Sequence, residues 1–214
     1  MNAVLVESFI RSYIASGSLA AWGGNILFLD AEELEEKIKE EFPVIDEARI
    51  KKDFLERAIS VELAEKKSIG IWCVDPNPCF YLEKRGGIFE EAPQAEGSLI
   101  LLIKTQGVSE IPPLGAKVVD ENFLDFMLKI KEDLFSSVNV GVKEFSFKSG
   151  SFDVQALTTE GFKIFFDGKK NPADQAANLK IMLEEKIKEE RANLEYIDLR
   201  EGNRIYYKLK GEQE

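Results

Sequence analysis

At Phe42-Pro43 the apolar residues change their spacing, from every third or fourth position to every second. That change constrains the chain more than any other feature, because a helical period and a strand period cannot share one element. Before it, Val6, Ile10, Tyr13 and Ile14 recur at helical spacing until Ser16-Gly17-Ser18 stops the run. A second helix is signalled by Asp30 as its cap, with Glu33 three residues on and Leu34 and Ile38 as its apolar stripe. It ends at Phe42, since the residue before a proline is pushed out of the helical region. After Pro43, the segment containing Ala48, Ile50 and Lys52 is extended, and Ile59-Ser60-Val61-Glu62-Leu63 alternates as a half-buried strand.

The remainder reads as more strands and two more helices. Ile69–Trp72, Cys79–Leu82 and Ile88-Phe89 are short strands of an antiparallel meander, broken by Asp75-Pro76-Asn77-Pro78, Gly86-Gly87 and Pro93. Leu99–Ile103 is an unbroken apolar run, as in a strand covered on both faces. Asp120 caps a helix carrying Phe123, Met127, Ile130 and Leu134. Strands follow over Val142–Phe147, Phe152–Leu157 and Phe162–Phe166, the last two joined by the turn Thr158-Thr159-Glu160-Gly161. Asn171-Pro172-Ala173-Asp174 starts a helix that buries Ala176, Leu179, Leu183 and Ile187 and runs to about Arg191. Tyr196–Leu199 and Ile205–Leu209 flank Glu201-Gly202-Asn203 as a terminal hairpin. The class is α+β, with a boundary near residue 67: helix-helix-strand-strand over 1–67, then a larger, mostly antiparallel β domain with two helices over 68–214.

The chain contains no histidine, only two cysteines, and a formal net charge of −11. Absence of histidine removes the commonest proton shuttle near neutral pH and the commonest zinc ligand. An acidic surface repels phosphate backbones, which argues against nucleic acid as a partner. No cofactor, metal site or small-molecule substrate is expected. The acidic clusters Glu32–Glu36, Glu184-Glu185 and Glu189-Glu190 lie on polar helix faces, where solvation is their ordinary role. Asp75 and Asp167 read as turn residues. No run approaches the roughly 20 apolar residues of a membrane span, and the first residues do not form a signal peptide, so the chain as written reads as soluble. Cys73 and Cys79 enclose five residues in a hairpin, a placement that favours a disulfide over a reduced, small apolar pair.

The ordered segments resemble the extracytoplasmic part of the bacterial cell-division proteins FtsQ/DivIB. Phe42-Pro43-Val44-Ile45 leading to Ala48–Phe54 is similar to that family's first strand after its helices. Ile59–Lys66, Ile69-Gly70-Ile71-Trp72 and Leu82–Phe89 match later strands, and Leu194–Arg200 followed by Arg204–Lys208 is close to the closing pattern. The resemblance implies a POTRA-like domain over 1–67, its usual first strand missing, and an FtsQ/DivIB-type β domain over 68–214. The family is anchored by one transmembrane helix. The resemblance therefore implies an anchor upstream of Met1 and a place on the extracytoplasmic face of the cell membrane.

A non-enzymatic scaffold of septum formation is what the resemblance implies, binding FtsB/DivIC-like and FtsL-like division proteins by strand addition. The residues expected to carry that binding are Arg200, Arg204, Ile205, Tyr206, Tyr207, Lys208 and Leu209. Arg200 matches a position that pairs with the partner; an intramolecular pair with a nearby acid is the alternative. Replacing Tyr206 by proline is expected to remove one backbone donor and to abolish co-purification with such a partner. Two other readings are a POTRA-bearing protein of outer-membrane assembly or secretion, and a glycan hydrolase using two carboxylates.

Overall fold

The computed structural model describes residues 3–16, 26–75, 78–94, 100–201 and 204–211. The chain divides into two units, Met1–Lys67 and Ser68–Glu214. The first contains α1 (Ala3–Ser16), a short 3-10 turn (Ile26–Phe28), α2 (Ala31–Glu41), β1 (Ile45–Asp53) and β2 (Ala58–Glu65). The Asp30 carboxylate accepts the Glu33 N–H at 3.1 Å, which satisfies one of the free donors at the start of α2. Phe42 caps the other end, where its N–H donates to the Ile38 carbonyl. Val6 and Ile10 of α1, Leu34 and Ile38 of α2, and Ile45, Ala48 and Ile50 of β1 share one core. Strands β1 and β2 pair antiparallel, with Ile50 opposite Val61.

The second unit is α+β, as its sequence pattern predicts. Its strands are β3 (Gly70–Val74), β4 (Cys79–Leu82), β5 (Ile88–Glu91), β6 (Leu101–Gln106), β7 (Val142–Lys148), β8 (Asp153–Thr158), β9 (Lys163–Asp167), β10 (Leu194–Asp198) and β11 (Tyr206–Leu209). They form one sheet in the order β11-β10-β9-β8-β7-β6-β3-β4-β5. Its two helices are α3 (Glu121–Val138), inserted between β6 and β7, and α4 (Pro172–Ile181), between β9 and β10. The expected antiparallel pairing holds for β3–β4–β5, β7–β8–β9 and β10–β11. It does not hold for β3–β6, β6–β7 and β9–β10, which are parallel. Both helices are crossovers that carry the chain back to the end of the sheet opposite the one it left, so the strand after each helix lies parallel to the strand before it. The sheet is mixed.

Both helices cover the same sheet face. Phe123, Leu124, Met127, Ile130 and Leu134 of α3, with Leu179 of α4, pack on Trp72, Ile103, Phe145, Ala156, Ile164 and Ile197. Strand alternation sends Ile71, Cys73, Cys79 and Leu102 to the opposite face, where they form a smaller cluster. Leu101, Leu102 and Ile103 are all buried, the pattern of a central strand; Leu99 lies outside the described residues. The helix begun at Asn171 is not α-helical as far as Arg191. It passes into a π turn over Met182–Ile187 and a 3-10 turn over Lys188–Asn193, and Lys188 takes a left-handed φ of 47°. The wider turn keeps Leu183 and Ile187 buried while the chain redirects into β10.

Cys73 and Cys79 are paired residues on β3 and β4, and their sulfurs are bonded, with Cα atoms 4.0 Å apart. Gly86 has a φ of 84°, and a Cβ there would stand 2.0 Å from the Val119 carbonyl, so only glycine fits this turn.

Candidate functional site: the terminal edge strand

Strand β11 is the outermost strand of its sheet, and among the described residues no strand lies on its far side. Its register on β10 sets Asp198 opposite Tyr206, Ile197 opposite Tyr207 and Tyr196 opposite Lys208. Which backbone groups face outward follows from the next strand inward. The Leu199 N–H donates to the Phe165 carbonyl on β9 at 2.9 Å. Directions alternate along a strand, so Leu199 and Ile197 turn their backbone toward β9, and Tyr196 and Asp198 turn theirs toward β11. Tyr206 and Lys208 therefore bond inward to β10. The Lys210 N–H, which donates to the Asn193 carbonyl at 2.7 Å, keeps the same parity. Tyr207, opposite Ile197, presents its N–H and C=O outward.

This alternation corrects one expectation. The N–H of Tyr206 belongs to the β10–β11 ladder, and a proline there would break the hairpin; the outward donor is Tyr207.

Side chains follow the same alternation. Ile205 and Leu209 pack against the main core, and Tyr207 shares their side of the ribbon with 41% of its surface exposed. Tyr206 is 47% exposed on the other side. Lys208 Nζ lies 3.8 Å from a Glu195 carboxylate oxygen, and Arg204 is exposed at the start of the strand. Gly202 and Asn203 of the expected turn lie outside the described residues.

Arg200 is placed differently from its neighbours in the expected set. Its Nε and Nη2 donate to the two carboxylate oxygens of Asp198 at 2.9 and 2.6 Å, and Nη1 donates to Asp153 on β8 at 3.1 Å. The guanidinium stands 5.0 Å from the Phe165 ring centroid, and its own backbone carbonyl accepts from Lys170 Nζ. The intramolecular alternative for Arg200 is thus occupied in this structure. Burial pushes the Asp198 carboxyl up. Hydrogen bonds from the Arg200 side chain and N–H, with the charges of Arg200 and Lys170, outweigh that and leave it below its ordinary value. Phe165 and Tyr196 meet edge to face at 5.9 Å beside the clamp, so a hollow of about 380 Å³ is lined by Lys163, Phe165, Tyr196, Asp198, Arg200 and Lys210.

Sequence reasoning missed Asp153, Phe165 and Lys170 as partners of Arg200. The Asp198–Arg200 pair had a local signal, because residues two apart on an extended segment share a face. Asp153 is 47 residues away and had none. Among the described residues no cluster of three or more metal-ligating side chains occurs, and no helix is long and apolar enough to cross a membrane. No family model and no curated protein matches this sequence.

Proposed function

We propose that the chain is a protein-binding scaffold of bacterial cell division, of FtsQ/DivIB type, that recruits FtsB/DivIC-like and FtsL-like proteins by adding a strand to β11. One observation carries the reading: β11 is the last strand of its sheet, with the Tyr207 N–H and C=O directed away from β10. An unpaired strand edge is a template for an extended segment. Tyr206 and Tyr207 add exposed aromatic surface on either side of the ribbon. The ordered likeness of Phe42–Phe54, Ile59–Trp72 and Leu194–Lys208 to that family supplies the partner class, and with it an extracytoplasmic location on a membrane anchor. The reading assigns no chemistry to the chain.

The test is co-purification with an FtsB/FtsL-like pair from the same cell. Tyr207→Pro removes the outward donor and leaves the β10 ladder intact, so it is expected to abolish capture with only the modest fall in melting temperature that loss of the Tyr207 ring brings. Capture that survives Tyr207→Pro refutes strand addition at this edge.

A further inference from the structure

Only Tyr206–Leu209 of the terminal segment pair as a strand, so the way the chain leaves β10 matters for how β11 is seated. The first residue beyond Leu199 is Arg200, and both of its backbone groups are held by side chains. Its N–H donates to an Asp198 carboxylate oxygen at 3.0 Å, and its C=O accepts from Lys170 Nζ. Lys170 is itself anchored, with Nζ 3.5 Å from an Asp167 carboxylate oxygen at the end of β9. These bonds fix the direction in which the chain departs. Further on, the Arg204 N–H donates to the Glu201 carbonyl at 2.7 Å, and Ile205 then lands on the main core.

The guanidinium is turned the same way. Each of its three nitrogens donates to a carboxylate of this chain, two to Asp198 on β10 and one to Asp153 on β8, beside the Phe165 ring on β9. One side chain therefore spans three neighbouring strands next to the edge. An acid on a partner could take this arginine only by breaking the fork with Asp198. That would leave a carboxylate only 16% exposed without its counter-charge. The loss exceeds what a new ion pair in open water returns.

We infer that Arg200 is a positioning residue of the docking edge, which seats β11 for an incoming strand and does not itself meet the partner. The inference rests on strand addition at β11. A template strand binds well only if its register and twist are set beforehand, because ordering it during binding subtracts from affinity. The clamp supplies that order at the one place where the hairpin joins the rest of the sheet.

Hydrogen exchange on the full chain reads the seating with no partner present. Arg200→Ala is expected to speed exchange of the Tyr206 and Lys208 amides, which bond to β10, by at least about tenfold. Thr105→Val removes an interior hydrogen bond on β6, five strands away, and serves as the control for general loss of stability. It is expected to leave those two amides at the parent's rate. Co-purification with the FtsB/FtsL-like pair reads the docking. Arg200→Ala and Asp198→Ala are both expected to lower capture by at least about tenfold, and Thr105→Val to capture as the parent does. Asp198→Ala decides between the roles, because it frees an intact guanidinium. An arginine that binds the partner would then capture as well as before or better, and that result overturns the inference. Unchanged exchange of Tyr206 and Lys208 in Arg200→Ala overturns it too, as does an equal loss of capture in Thr105→Val. A parent chain that captures nothing refutes strand addition itself; full capture by both the parent and Asp198→Ala refutes only the role of Arg200.

Discussion

Arg200 ties β10 to β8 and β9 at the point where the chain leaves for the terminal hairpin, and its removal has a calculable cost. The exposed bond to Asp153, whose side chain is 56% exposed, contributes little. The forked pair with Asp198, whose side chain is 16% exposed, is charge-assisted; after allowance for an arginine more than one-third open to water it contributes roughly 1–2 kcal/mol. Contact with the Phe165 ring adds about 0.5 kcal/mol. Arg200→Ala is therefore expected to destabilise the chain by about 2 kcal/mol at pH 7, read by urea unfolding followed by circular dichroism. Acid should shrink that difference. Asp198 has a folded pKa below its unfolded value of 3.8, so its contribution is full above that value and is lost as pH falls through the folded one. Without Arg200 only the charge of Lys170 opposes burial at Asp198, so its carboxylate costs the variant stability near neutral pH, and that cost is relieved as pH falls and the group protonates. Arg200→Lys keeps the charge without the fork and should recover less than half of the loss. Equal stability of parent and Arg200→Ala at pH 7, or a gap that stays constant down to about pH 3, refutes the clamp.

Two further outcomes concern the large sheet. Reduction of the Cys73–Cys79 bond, or Cys73→Ala with Cys79→Ala, should cost about 2 kcal/mol by freeing a short loop in the unfolded chain, measured as a lower urea midpoint with an unchanged slope. Thr105→Val should cost about 1–3 kcal/mol, because Trp72 Nε1–H donates to Thr105 Oγ1 at 2.8 Å in a buried site and would lose its acceptor; a midpoint equal to the parent's would contradict that assignment.

Local chemistry was legible in the sequence, and long-range geometry was not. Asp30, Asp120 and Asn171 cap their helices as expected because a cap depends on donors two or three residues away. The alternation of Ile59–Leu63 likewise showed a strand, since one half-buried face suffices to impose it. The parallel pairing of β9 with β10 had no such signal: nothing near Ile164 or Ile197 specifies that they become neighbours. The π turn after Ile181 was hidden as well, because spacing of apolar residues by four fits an α-helix and a slightly wider one equally. For the last strand the sequence indicated the element but not which of its backbone groups face outward. Tyr206 and Tyr207 are alike in sequence, and only the register against Asp198 and Ile197 tells which faces out.

Because the groups that β11 offers are main-chain ones, a scan that trims side chains would pass over them. Alanine at position 207 keeps its amide and carbonyl, so such a survey would record a modest packing loss and miss the proposed contact. On the proposed strand addition, homologous chains could also drift widely along this ribbon and still hold the same visitor, provided that proline stays out of the odd-numbered places. Conservation there would be one of outline and spacing, with little trace in residue identity.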